Sequence, residues 1–262
     1  MEYAVLHNNK YAKDVNFIRF EPDKTDRGIL FASQNPDKRV IIEIKDNLIS
    51  LDKLYAIQAE NNNIIYDFHV LPDMVSYARL SKSKEYIYDY MYHAPVATWG
   101  LVSILRYHQV SDIIVTEPLT FDIDTLSLVK KADTRIHIIP TLCRTPLQQE
   151  IEDTGIRHFW VLPQHMYLYE GAIDVLEIID GNTTRQQAIY EAYAVRGKYE
   201  TTPMSLLFTG IDLNMPPEVV PLEMVQRRLN CKQKCLSGVE TSCAYCSKQL
   251  FLWEQLKSRA SR

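Results

Sequence analysis

The chain has 262 residues, 46% of them hydrophobic, so it can bury a full core as two ordinary domains or as one large barrel with an appendage. A net charge of −4 and a pI near 6.0 exclude the global basic field that drives non-specific nucleic-acid binding, though not a local patch. No stretch of about 18 uninterrupted apolar residues occurs, and no basic start joined to an apolar run and a small-residue cleavage site, so the expectation is a cytoplasmic protein with no membrane partner.

In chain order, Tyr3-Ala-Val-Leu-His7 reads as a strand. Residues 10–38 hold Asn16-Phe-Ile-Arg-Phe20 and Gly28-Ile-Leu-Phe-Ala32 around a polar turn, a pattern closer to a β-hairpin than to a helix. From residue 40 onward short apolar runs recur: Val40-Ile-Ile-Glu-Ile44, Ile64-Ile-Tyr-Asp-Phe68, Tyr90-Met-Tyr-His93, Ile113-Ile-Val-Thr-Glu117, Ile136-His-Ile-Ile139, Phe159-Trp-Val-Leu162 and Val175-Leu-Glu-Ile178. The first six begin roughly 23 residues apart, which matches one strand, one helix and two short loops.

Residues 51–59, 100–108, 122–132 and 146–153 carry apolar side chains at intervals of three and four and predict helices, and 185–195 predicts the last one. Strands alternating with helices imply a parallel sheet covered on its faces. Eight such units predict an α/β fold, a (β/α)8 TIM-like barrel over residues 1–200, with a doubly wound open sheet as the rival. Residues 201–262 form a C-terminal helical extension, in which 222–230 delivers a cysteine cluster.

In a barrel, catalysis belongs at the C-terminal ends of the strands. Polar residues stand there throughout: His7, Glu43 with Lys45, Asp67 with His69, His93, Glu117, Cys143 with Arg144, Gln164 with His165, and Glu177 with Asp180. His69, Asp67, His93 and Glu117 are the candidate catalytic residues, the histidines transferring protons and the carboxylates, Glu43 and Glu177 included, accepting them or binding a divalent metal. The competing account is that polar groups collect wherever strands run into loops, with Glu43 and Lys45 forming an internal ion pair.

Two features carry anion binding. Gly181-Asn-Thr-Thr184 precedes a helix after strand eight, where barrels often hold phosphate, although Thr184 and Gln187 also have the spacing of a capping box. Arg144 offers a planar fork to a carboxylate or phosphate, or is a rim surface charge. Cys143 reads as a small buried hydrophobe. The tyrosines of Tyr86-Ile-Tyr-Asp-Tyr-Met-Tyr92 read as packing rather than as a base-stacking platform.

Four of the five cysteines are clustered: Cys231-Lys-Gln-Lys-Cys235, then Cys243-Ala-Tyr-Cys246. Two close pairs across a short loop present four thiolates to one metal ion or cluster. A closed structural zinc site is the first expectation and a 4Fe-4S cluster the second; in either case the site staples two helices.

The segment from Tyr90 to Asp180, with Ile113-Ile-Val-Thr-Glu-Pro-Leu119, Ile136-His-Ile-Ile-Pro140 and Trp160-Val-Leu-Pro163, followed by Cys235-Leu-Ser-Gly238, resembles the collagenase-like peptidase family. That resemblance implies a (β/α) barrel and a cysteine quartet that holds an iron-sulfur cluster for oxygen-independent hydroxylation of RNA bases or ubiquinone precursors. The quartet here is packed more tightly, and later in the chain, than the family's.

Together these readings point to a metal-binding barrel that acts as an enzyme on a nucleoside, nucleic acid or phosphorylated small molecule. The alternative is a non-catalytic, zinc-stabilised barrel serving in a protein assembly. The barrel alone does not choose between them.

Overall fold

The computed structural model describes residues 1–45, 49–96, 98–115, 123–130, 134–139, 163–179 and 183–194, together with the short pairs 202–203 and 214–215. Eight strands, all parallel, close into a barrel in chain order: β1 (Glu2–Leu6), β2 (Phe17–Phe20), β3 (Arg39–Ile44), β4 (Ile64–Phe68), β5 (Tyr90–Val96), β6 (Asp112–Val115), β7 (Arg135–Ile138) and β8 (Val175–Ile178). β8 pairs back onto β1 through Ala4 and Glu177, which leaves the sheet no edge. The described helices between strands are α1 (Thr25–Gln34), α2 (Leu51–Glu60), α3 (Leu71–Ser83), α4 (Trp99–Tyr107) and α5 (Ile123–Val129), and α6 (Thr183–Ala194) follows β8. The expected TIM-like barrel is therefore present.

The eight strands are not the eight expected from sequence. The hairpin over residues 10–38 is replaced by β2, which pairs in parallel with both β1 and β3, and by α1, which contains Gly28-Ile-Leu-Phe-Ala32. Phe17-Ile-Arg-Phe20 is buried throughout because it is an inner stave and not one arm of a surface turn. Gly28 lets α1 lie close on the barrel: a Cβ there would stand 3.1 Å from Ile42 and from the ring of Phe20. At the other end β7 pairs directly with β8, His137 opposite Val175, so the barrel closes without Phe159-Trp-Val-Leu162, which lies outside the described residues.

Strand side chains alternate between two environments, as the pleat requires. Ile18, Phe20, Ile42, Tyr66, Phe68 and Tyr90 pack with the surrounding helices into one apolar cluster; Tyr66 and Phe68, for example, both meet Tyr77 of α3. The opposite set faces the barrel axis and is unusually polar. Arg19, Asp67, Asp112, His137 and Glu177 have no exposed surface, and they come from five different strands. The short antiparallel pair Thr202–Pro203 with Asn214–Met215 follows the barrel, and the expected helical extension beyond it lies outside the described residues.

Candidate metal centre at the barrel rim

One geometric rule generates the polar interior. Arg19 lies opposite Ile41 but binds Glu43; Glu43 lies opposite Asp67 but meets His69. Asp67 lies opposite Met91 but binds His93; Asp112 lies opposite Arg135 and also binds His137; His137 lies opposite Val175 but binds Glu177. In every case the partner is two residues beyond the register partner on the next strand. Closing a barrel staggers the strands, so the group level with a given inward side chain sits further along the neighbouring strand.

Arg19 is the hub. Its Nε and Nη2 donate to the two oxygens of Glu177 at 2.9 and 3.1 Å, Nη1 donates to Glu43 at 3.1 Å, and Nη1 also binds Asp67. Below it, His137 contacts Glu177 through Nδ1 at 2.6 Å and Asp112 through Nε2 at 2.8 Å. Asp112 also accepts two hydrogen bonds from Arg135, each at 2.7 Å. Burial alone would lower the His137 pKa, but hydrogen bonds to Asp112 and Glu177 and their charges outweigh it and raise it to about 9. Both ring nitrogens therefore carry protons and donate. Burial would likewise raise the carboxyl pKa values of Asp67 and Glu177; the Arg19 charge and their histidine partners hold them low instead.

Inside the barrel four carboxylates, Glu43, Asp67, Asp112 and Glu177, thus face three cationic groups, Arg19, Arg135 and His137. His93, on Asp67, is a fourth basic group in contact with them. Asp67 Oδ1 is buried without a hydrogen-bond partner among the described residues.

His69 and His93 occupy this upper end, stacked with ring centroids 3.7 Å apart and planes 11° apart. His69 Nε2 lies 3.2 Å from Glu43 Oε2, and His93 Nδ1 lies 2.9 Å from Asp67 Oδ2. Their side chains retain 22% and 36% exposure, so solvent and solutes reach them although the acids behind are buried. Burial would lower the His93 pKa, but the hydrogen bond and charge of Asp67 prevail and raise it; burial, and then the charge of His93, lower that of His69.

One ligand atom from each of Glu43, His69 and His93 falls within 4.8 Å of the others. The Glu43–His69 separation of 3.2 Å is a ligand–ligand spacing, roughly 3–3.6 Å for bonds of about 2.0–2.2 Å. The two imidazoles stand near-parallel, so one ring has to turn before both in-plane lone pairs reach a single ion. Because ionised Asp67 only accepts, His93 donates from Nδ1, and its Nε2 can ligate an ion once that nitrogen has given up its own proton. This is the carboxylate–histidine arrangement that orients metal ligands.

Of the residues expected from sequence, Asp67, His69 and His93 converge here and Glu43 joins them. The shared face of Asp67 and His69 is real, but each pairs across strands and not with the other. Glu43 is held by Arg19 and His69, not by Lys45, and Glu177 belongs to the barrel centre and has no place at the rim. Thr184 stands exposed in the first turn of α6, three staves around the barrel from β3. Glu117, Cys143, Arg144, Cys231, Cys235, Cys243 and Cys246 lie outside the described residues. Sequence reading passed over Arg19 and His137; the available signal was a charged residue centred in an otherwise apolar strand-length run.

No protein-family model matches the chain, and no curated protein matches it. Among solved structures, the chain is similar to the 4-hydroxy-2-oxoglutarate aldolase/2-deydro-3-deoxyphosphogluconate aldolase from TTHB1, at 11% identity and a TM-score of 0.40, over 73% of this chain and 92% of that one. Among the described residues no helix is long and apolar enough to cross a membrane.

Proposed function

We propose that this protein is a metal-dependent enzyme working on a small polar substrate at the C-terminal rim of its barrel, with Glu43, His69 and His93 as ligands of one divalent transition-metal ion. The observation that carries the reading is the convergence of these three side chains at the open end of a buried, acid-rich network. Two imidazoles and a carboxylate suit zinc and its first-row neighbours better than calcium or magnesium, which prefer oxygen ligands. When bound, such an ion supplies Lewis acidity and lowers the pKa of a coordinated water.

The protein's own contribution is orientation and charge. Asp67 fixes a His93 proton on Nδ1, and Arg19 anchors the carboxylates of Glu43 and Asp67 from below. Three protein ligands leave positions open to water or substrate, as catalytic sites require.

On their spacing we also propose that Cys231, Cys235, Cys243 and Cys246 hold a separate zinc ion or 4Fe-4S cluster. Cobalt(II) titration of the metal-free full chain separates the two sites, because thiolate ligation adds a charge-transfer band that nitrogen and oxygen ligands lack. Wild type should bind one equivalent without that band, and a His69→Ala/His93→Ala variant should lose that equivalent alone. Unchanged cobalt stoichiometry and spectrum in the variant would refute the rim centre and favour a non-catalytic barrel.

A further inference from the structure

A cleft of about 480 Å³ opens at the same rim, beside the metal centre. One wall is residues 22–27, the approach to α1 and its first turn; the other is formed by Ile44, Lys45, Ile49 and Lys53, from the end of β3 to the first turn of α2. Glu43 lines the cleft and also contacts His69, so the two sites are continuous through one side chain. The volume is that of a small-metabolite site.

The lining is cationic in a chain whose net charge is −4. Arg27, Lys45 and Lys53 are exposed and have no ion-pair partner among the described residues, while Lys24 is paired with Asp23. Glu43, bound by Arg19 and His69, and Asp26 are the carboxylates that oppose those three cations among the described residues.

We infer that this cleft binds the phosphate group of a small phosphomonoester substrate through Arg27, Lys45 and Lys53, with the remainder of the molecule extending past Glu43 to His69 and His93. The inference deepens the proposed metal-enzyme function and rests on it for the substrate's reacting end. A phosphate monoester is close to a dianion at neutral pH and has three acceptor oxygens, which suits three cationic donors on two walls better than a monocarboxylate does. The position also differs from the sequence expectation: the cationic cleft lies between the β2 and β3 ends, not at Thr184 after β8.

The test is calorimetric titration of the full chain with inorganic phosphate, and separately with acetate, at constant ionic strength. Wild type should bind phosphate saturably and at least tenfold more tightly than acetate. Arg27→Ala/Lys53→Ala should weaken phosphate binding at least tenfold, whereas Arg79→Ala/Lys82→Ala, which removes two exposed cations from α3, should change it less than twofold. His69→Ala/His93→Ala should leave phosphate binding within twofold of wild type while losing cobalt. No saturable phosphate binding, equal binding of acetate, or equal losses in the two cation-deleted variants would overturn the subsite. Because cobalt binding is read on the same proteins, the cleft can fail while the metal centre stands, and the reverse.

Discussion

Asp67, with no solvent-exposed surface, accepts a hydrogen bond from His93 Nδ1 at 2.9 Å, and its other oxygen has no hydrogen-bond partner among the described residues. An ionised acid in that position decides which imidazole nitrogen faces the rim. Asp67→Asn keeps the shape but permits the other tautomer and removes the charge that favours a cation above it. Cobalt affinity at the rim should fall about 10–100-fold. Competition titration measures it, with thermal unfolding as the fold control; a change below threefold would remove Asp67 from the site's working parts.

Arg19 is predicted to matter as much for stability as a large buried apolar residue of the barrel. Arg19→Leu would leave Glu43, Asp67 and Glu177 facing one another without their shared cation, and breaking a buried ion pair from one side typically costs about 3–5 kcal/mol. Urea denaturation reads the loss. Adding Glu177→Leu should recover part of it, because one uncompensated carboxylate is then gone; a double variant no more stable than Arg19→Leu would refute the hub assignment.

The barrel was legible in the sequence where strands are long apolar runs, as at Val40-Ile-Ile-Glu-Ile44 and Ile64-Ile-Tyr-Asp-Phe68, and illegible at β2 for a physical reason. Phe17-Ile-Arg-Phe20 is short and centred on an arginine, and Ile29, Leu30 and Phe31 of α1 have the composition of a strand. Only closure of the sheet, which demands a stave between β1 and β3, settles both. His69, His93 and Asp67 could be named as strand-end groups. Their pairing could not, because it follows from the two-residue stagger between neighbouring strands, a property of the closed barrel and of no local window.

Gly28 tests the close approach of α1. A Cβ at 3.1 Å from Ile42 and Phe20 is tight, yet alanine gains about 1 kcal/mol of helix propensity over glycine. Gly28→Ala should therefore lie within about 1 kcal/mol of wild type. Gly28→Leu has no such room and should destabilise by about 1–3 kcal/mol or more. Chemical denaturation of both decides it, and a fully stable Gly28→Leu would show that α1 packs less closely than described.

His137 gives the barrel centre a pH signature. Its folded pKa is about 9 against an ordinary value near 6.5, so the protonated ring stabilises the fold fully below pH 6.5, and that contribution disappears as pH rises towards 9. His7 and His69, whose pKa values are lowered, act in the opposite sense, so the comparison has to be with a variant and not with wild type alone. In His137→Gln the ring's two donors are lost; the variant should be less stable at pH 6, and the stability gap to wild type should narrow between pH 6.5 and 9. Denaturant midpoints collected across that range measure the gap. A gap constant with pH would mean that His137 is neutral in the folded protein, and that Asp112 and Glu177 are held ionised by Arg135 and Arg19 without it.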